Sequence, residues 1–362
     1  MKAAVACGGT GGHVFPGLAT ARELLSRGHE VTLWLTGRDT EQSARRDWDG
    51  PVVEIPARGF PAGFSGESFR RAWNLGRAVW RSRARMRADR PDVLLAMGSY
   101  ASVGPCGAAR WLGVPIVLHE ANVIPGRAVR LFARGAAAVA TGFEETRYHL
   151  SGARLAVVGI PLRDELTEAA RNLPPRDRSR SAPLSLLVVG GSLGAHRLNE
   201  VTTAALARLQ RTGERFAVTH LTGPRDAGDV RAAYAAAGVA AEVIDFTKYM
   251  APLYHAADLA ICRAGASTCA ELAFFGVPAL FVPYPHAAMD HQTANARALE
   301  KRGTADVVDE SALTPEWLEA YLAQTIRHPE RLARLREAAL REGVKNGTAA
   351  LADLVEASAR KP

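Results

Sequence analysis

The sequence predicts an α/β protein built from two doubly wound, parallel-sheet domains. Three observations carry that prediction. Short apolar runs alternate with longer amphipathic stretches, the mark of parallel strands joined by crossover helices. The series stops in a charged, proline-rich stretch and then begins again. Three glycine-rich segments each follow an apolar run and open a helical pattern, and that turn is where open α/β sheets bind ligands.

In order, AAVAC (3–7), EVTLWL (30–35), PVVEI (51–55), DVLLAM (92–97), PIVLH (115–119) and AAVAT (137–141) read as strands. Each is short and rich in Val, Ile, Leu and Ala, as suits a strand covered on both faces. GLATARELLSRG (17–28) and the arginine-rich stretch from Phe69 to Arg90 read as helices between them. RNLPPRDRSRSAP (171–183) suits a surface linker. Beyond it, LSLLVVGG (184–191), FAVTHLTG (216–223), AEVIDF (241–246), LAICRAG (259–265) and PALFVP (278–283) form the second strand series. After Leu313 the pattern is helical, and RLARLREAALREG (331–343) is amphipathic.

Composition bounds the function. At 362 residues the chain exceeds one ordinary domain. With 48% hydrophobic and 23% charged residues it is neither disordered nor fibrous. It contains no apolar run of about eighteen residues, so no spanning helix is expected. The opening MKAAVACGGTGGH breaks into glycine before a signal-peptide core could form, which predicts a cytosolic chain. Cys7, Cys106, Cys262 and Cys269 lie among small apolar residues in no metal-ligand spacing and read as buried thiols. The excess of 45 basic over 37 acidic residues, a net +8, invites an anionic partner. From Phe69 to Arg90, eight arginines face one acid, Asp89, with Phe69, Trp73, Val79 and Trp80 interleaved. No nucleic-acid-binding signature accompanies them, so nucleic acid is not the expected partner.

The glycine-rich turns carry the chemistry. A strand, a tight turn and a helix N-terminus together present unpaired N–H groups and the positive end of a helix dipole. Gly8-Gly9-Thr10-Gly11-Gly12-His13 has neither the dinucleotide spacing, since Val14 follows Gly11 by three, nor a Walker lysine. A Rossmann oxidoreductase is therefore disfavoured. His13 would stand at the helix entrance, where the dipole favours a neutral imidazole able to take a proton. In Gly190-Gly191-Ser192-Leu193-Gly194-Ala195, Ser192 offers a hydroxyl to a phosphate oxygen. In Arg263-Ala264-Gly265-Ala266-Ser267-Thr268, Ser267 and Thr268 suit a diphosphate, and Glu271 one turn on suits ribose hydroxyls. Three such turns, split between two domains, predict two carboxyl edges facing one cleft. Asp47-Trp48-Asp49 lies away from any strand's carboxyl end, and no metal is called for.

GGTGGHVFPGLA (8–19), GSYAS (98–102), HEANVIPG (119–126), GGSLGA (190–195), RAGASTCAELAFFGVPALFVPYP (263–285) and DHQTANA (290–296) resemble the MurG family of peptidoglycan N-acetylglucosaminyltransferases. The resemblance implies a GT-B fold, with residues 1–163 joined by 343–362 as an acceptor and membrane domain, and 164–342 as the UDP-GlcNAc domain. It implies inverting transfer of GlcNAc from UDP-GlcNAc to the C4 hydroxyl of MurNAc in undecaprenyl-diphosphoryl-MurNAc-pentapeptide (lipid I), giving lipid II without a cofactor. By position it implies His13 as base. Thr10, Gly11, Gly12, Asn122, Arg163, Ser192, Thr247, Met250, Ala266, Ser267, Thr268, Cys269, Ala270, Glu271 and Gln292 fall on donor-binding positions.

Lipid I is membrane-held, so the resemblance also places the chain on the cytoplasmic face of the plasma membrane, in reach of cell-wall synthesis proteins. Phe69, Trp73 and Trp80 share one helix face flanked by Arg70, Arg71 and Arg77, an arrangement suited to docking on an anionic leaflet. Several positions depart from the family pattern: Ile160 stands for asparagine, Leu193 for glutamine, Ala121 for glutamine and Ser99 for glycine. The changes at 160 and 193 are expected to remove polar groups near the cleft. The alternatives are another GT-B glycosyltransferase with a different lipid or metabolite acceptor, a nucleotide-sugar epimerase of related fold, and a non-catalytic binder of anionic lipid.

Overall fold

Seven strands lie parallel in the order β3-β2-β1-β4-β5-β6-β7. They are β1 (Lys2–Ala6), β2 (Glu30–Leu35), β3 (Val52–Glu54), β4 (Val93–Ala96), β5 (Ile116–Glu120), β6 (Ala138–Thr141) and β7 (Leu155–Val157). A second parallel sheet runs β10-β9-β8-β11-β12-β13. Its strands are β8 (Leu184–Val189), β9 (Phe216–Leu221), β10 (Ala241–Ile244), β11 (Leu259–Cys262), β12 (Ala279–Phe281) and β13 (Ala305–Val307). The helices are, in turn, α1 (Gly11–Ser26), α2 (Gln42–Arg46), α3 (Gly66–Ala88), α4 (Val103–Leu112), α5 (Arg127–Phe132), α6 (Asp164–Asn172) and α7 (His196–Gln210). They continue with α8 (Ala227–Ala236), α9 (Ala251–Ala256), α10 (Ala266–Phe275), α11 (His291–Lys301), α12 (Pro315–Arg327), α13 (Pro329–Glu342) and α14 (Thr348–Ser358). The computed structural model describes residues 1–38, 41–57, 66–174, 183–191 and 194–359, with side chains at 43, 44 and 66–72 excepted.

The chain divides into two compact units, Met1–Arg163 with Lys345–Pro362, and Asp164–Val344. Every apolar run expected to be a strand is one, with ends that shift by up to three residues. β7 and β13, each three residues long at a sheet edge, are strands that sequence reading did not find. Most of the expected linker, 175–182, lies outside the described residues. Its first two residues, Arg171 and Asn172, are instead the end of α6, which belongs to the second unit.

Both faces of the first sheet are covered, which explains its unbroken apolar runs. Alternate residues point to opposite faces. Ala3, Val5, Val93, Leu95 and Val117 pack with Val14, Leu18 and Leu24 of α1 and with Leu351, Ala352 and Val355 of α14. Ala4, Ala6, Leu94, Ala96, Ile116 and Leu118 pack with Ala78 and Met86 of α3 and Cys106 of α4. The return of α14 to this unit is pinned by Arg27, which pairs with Asp353 at 2.6 Å and Glu356 at 3.1 Å. Where the chain leaves and re-enters the unit, Ile160 N–H donates to the Lys345 carbonyl and Gly347 N–H to the Ile160 carbonyl, each at 3.0 Å. The second unit's interior gathers Leu186, Val188 and Ile261 of its sheet with Leu198 and Leu206 of α7 and Leu318 and Leu322 of α12.

Strand order places the crevices. In the first sheet the chain runs outward from β1 to β3 and then reverses to β4 on the other side. The carboxyl ends of β1 and β4 therefore flank a switch point, and β8 and β11 do the same in the second. All three glycine-rich turns, and the Gly98-Ser99 turn after β4, fall at these two points.

Candidate active site

In the first unit, α1 starts directly from the glycine loop, with Thr10 as its cap residue in an extended conformation. Gly9 adopts a φ of 123°, which a side chain would oppose. Gly17 lies so close to β1 that a Cβ there would stand 2.3 Å from that of Cys7, so α1 seats flush on the strand. His13 Nδ1 and the Thr10 hydroxyl are 2.9 Å apart. An N–H at Nδ1 donating to that hydroxyl leaves Nε2 as the basic nitrogen. A Cβ on Gly98, on the turn after β4, would lie 3.6 Å from Nε2 and 3.7 Å from the His119 carbonyl. Gly98 thus lies where His13 and the end of β5 come together.

Other polar groups of this unit are tied down by neighbours. Glu120, 5% exposed, accepts from Asn122 N–H at 3.0 Å and Gly126 N–H at 2.8 Å, and from the Asn122 side-chain amide at 3.2 Å. Its two oxygens shape the 122–126 loop. Asn122 is held in that loop, its carbonyl accepting from the Thr146 hydroxyl at 3.1 Å. Arg163 lies with its guanidinium 5.6 Å from the Phe15 ring centre. His119 is buried, and its Nε2 stands 3.0 Å from the Gly159 carbonyl. Burial holds its pKa down to about 4, against a small upward pull from that bond. Ile160 is fully buried, and its side chain occupies the space over Gly142, where an added Cβ would meet it at 2.7 Å. The departure at 160 therefore fills this unit's interior.

In the second unit, α10 opens from the turn after β11 with Gly265 at its cap, and Ser267 and Thr268 are half-buried in its first turn. Ala266 is buried at that turn, and Cys269 and Ala270 send their side chains into the interior. Glu271 is 8% exposed, and its Oε2 accepts from the buried Tyr254 hydroxyl at 2.7 Å. Met250 caps α9, and the Thr247 hydroxyl accepts from Tyr249 N–H at 3.1 Å in the loop before it. Gln292 accepts from Tyr284 N–H at 3.0 Å, and Arg263 donates to the carbonyls of Val282 and Pro283 while pairing with Glu310. These contacts set the loop after β12. Ser192 and Leu193 lie outside the described residues.

The arginine-rich helix presents its aromatics outward. Ala78, Ser82 and Met86 form its buried stripe, and Gly104 of α4 meets Ala78 and Ser82. Trp73 is 64% and Trp80 68% exposed, with Arg77, Arg81, Arg85 and Arg87 exposed around them. Trp111 on α4, 67% exposed, lies under the Arg83 guanidinium at 4.6 Å. The side chains of Phe69, Arg70 and Arg71 lie outside the described residues. Among the described residues no helix is long and apolar enough to cross a membrane. Asp47 and Asp49 are exposed on either side of the buried Trp48.

Sequence reasoning missed four residues that the fold brings into play: Glu41, Tyr100, Trp111 and Tyr254. Tyr100 follows the Gly98-Ser99 turn, and its ring lies 4.9 Å below the Arg38 guanidinium. Tyr254 had no signal, because only the packing of α9 on α10 brings it to Glu271.

Residues 3–141 match the glycosyltransferase family 28 N-terminal domain, and residues 185–351 match the family's C-terminal domain. A protein of Cupriavidus necator, named UDP-N-acetylglucosamine–N-acetylmuramyl-(pentapeptide) pyrophosphoryl-undecaprenol N-acetylglucosamine transferase, is 44% identical over 324 residues, 89% of each chain. A protein of the same name from Geobacter metallireducens is 40% identical over 345 residues, 94% of this chain and 93% of that one. The crystal structure of Acinetobacter baumannii MurG superposes with a TM-score of 0.81 at 32% identity, covering 98% of this chain and 99% of that one.

Proposed function

Because the chain belongs to glycosyltransferase family 28, we propose that its two crevices divide one transfer reaction between an acceptor and a nucleotide-sugar donor. The enzyme is a UDP-GlcNAc-dependent glycosyltransferase. It transfers GlcNAc to undecaprenyl-pyrophosphoryl-MurNAc-pentapeptide, as its named relatives do, and so makes lipid II for peptidoglycan. The acceptor's C4 oxygen attacks the anomeric carbon of GlcNAc while the bond from that carbon to the β-phosphate oxygen breaks. The proton passes to His13 Nε2, and UDP leaves with the electron pair. One displacement inverts the anomeric centre and needs no protein nucleophile. The observation that carries the assignment is the Thr10–His13 contact of 2.9 Å at the β1–β4 switch point.

The donor falls to the second unit in this reading. The α10 N-terminus and the Ser267 and Thr268 hydroxyls stabilise the departing diphosphate. Glu271, aimed by Tyr254, takes the ribose hydroxyls, with Thr247 and Met250 beside the base and Gln292 on the sugar side. Glu271→Ala is expected to weaken UDP binding by about 1–3 kcal/mol, the range for lost hydrogen bonds to a charged acceptor. Titration calorimetry with UDP checks this, and an unchanged dissociation constant would remove Glu271 from the donor site.

The tryptophan and arginine face is read as the docking surface for the anionic cytoplasmic leaflet. Exposed indoles suit the headgroup level, and each nearby arginine adds about 1 kcal/mol to the attraction. One experiment tests activity and docking together: UDP release measured with lipid I in anionic vesicles and with a short-chain, water-soluble analogue. Release should require acceptor in both cases. Replacing Trp73 and Trp80 by alanine should slow the vesicle reaction alone. Acceptor-independent release would overturn the transferase assignment, and equal slowing in both assays would overturn the docking surface.

A further inference from the structure

The Gly8–Gly9 peptide joins two residues without side chains, so it meets little steric resistance to rotation. It is gripped from both ends. Its carbonyl accepts from the Ser99 hydroxyl at 2.8 Å, and its N–H donates to Glu41 Oε1 at 2.8 Å. The two groups of one trans peptide point in opposite directions, so turning the plane over would break both contacts. We propose that Glu41 and Ser99 are positioning residues, which lock this peptide so that Thr10 and His13 are presented to the acceptor. The proposal rests on the reading of His13 as base.

Neither grip is incidental packing. Glu41 is 2% exposed, and its carboxylate also accepts from Thr36 N–H at 2.7 Å, Gly37 N–H at 2.9 Å and the Thr36 hydroxyl at 2.5 Å. The loop after β2 is thus wrapped around a buried charge, one oxygen of which is turned to the glycine loop. Ser99 sits at φ 61° and ψ 171°, a region nearly reserved for glycine, and strain of this kind gathers at functional sites. Its hydroxyl accepts from Ala101 N–H at 3.1 Å, and that contact directs the hydroxyl proton at the Gly8 carbonyl. The grip has a second effect. A carboxylate already holds the Gly9 amide, so that one donor of the loop is closed to a ligand.

Ser99→Gly separates this role from stability, because glycine relieves the strained backbone while removing the hydroxyl. Its melting temperature should equal or exceed wild type, while kcat falls about tenfold, the scale of one lost hydrogen bond. KM for UDP-GlcNAc should stay within about twofold. Glu41→Gln, which turns one accepting oxygen into a donor, should lower kcat at least as far. In a His13→Ala background Ser99→Gly should change the residual rate by less than about twofold, since both act through one group. Wild-type kcat in Ser99→Gly, or an equal loss in both backgrounds, would overturn the proposal. Near-normal turnover in His13→Ala itself would instead remove the base assignment, with a kcat loss in Ser99→Gly still upholding the lock on the loop.

Discussion

Replacing His13 by alanine is expected to cut turnover at least about a hundredfold, within the 10²–10⁴ range for a lost general base. UDP affinity and melting temperature should stay near wild type. The imidazole is only half-buried and touches the Thr10 hydroxyl, so its removal strips little packing from the interior. The nucleotide lies with the other unit in our reading, so its affinity should not report on position 13. Thr10 enters the same test. If its hydroxyl accepts from Nδ1–H, it keeps the lone pair on Nε2, and Thr10→Val should lower kcat without matching the loss of His13→Ala. In the wild type, kcat should fall on the acid side as the imidazole takes a proton, and in His13→Ala that limb should vanish. A variant retaining more than about a tenth of wild-type turnover would make His13 structural.

The second large effect concerns stability in mild acid. His119 and His220 are buried, and burial depresses their folded-state pKa values to about 4 and about 3. His220 stands 3.0 Å from the Asn199 side-chain oxygen and 2.9 Å from the Tyr234 hydroxyl, with Asp226 pulling slightly upward. Above the ordinary histidine pKa of about 6.5, folded and unfolded chains both hold them neutral, and stability is unaffected. Below it the unfolded chain binds protons that the folded one refuses, so unfolding is favoured as pH falls. Each histidine contributes about 1.4 kcal/mol per pH unit. Between pH 6.5 and 5, above the range where carboxylates titrate, the two together should remove about 3 kcal/mol. Denaturant unfolding at stepped pH measures this slope. His119→Gln and His220→Gln should each flatten it by about one proton, and an unaltered slope would mean that the two imidazoles are hydrated.

What the sequence revealed follows from how local each signal is. Strands covered on both faces announce themselves as apolar runs, and a turn between strand and helix is written in consecutive glycines. His13, Ser267, Thr268 and Glu271 were legible for that reason. Glu41 was not: within GRDTEQ it looks like any solvated acid, and only folding brings the amides of 9, 36 and 37 around it. At Ile160 the sequence told only that a polar group is lost; that the side chain is buried over Gly142 needed the fold. The outward turn of Trp73 and Trp80 depended on which stripe of α3 met α4, and the spacing of the aromatics alone left both orientations open.

The return of α14 to the first unit also bears on how the protein is made. A nascent chain that has emerged as far as Arg163 carries all seven strands of the first sheet but none of Leu351, Ala352 or Val355. The strip over β4, β5 and β6 that these side chains cover stays bare while the ribosome works through the whole second unit. The contact between Arg27 and Asp353 spans 326 residues, so the seal on the first unit closes only after the second unit has been made. The second unit, continuous from Asp164 to Val344, is under no such delay. The half translated first is therefore the half completed last, and during that interval its open apolar strip is the part of the molecule most in need of a chaperone.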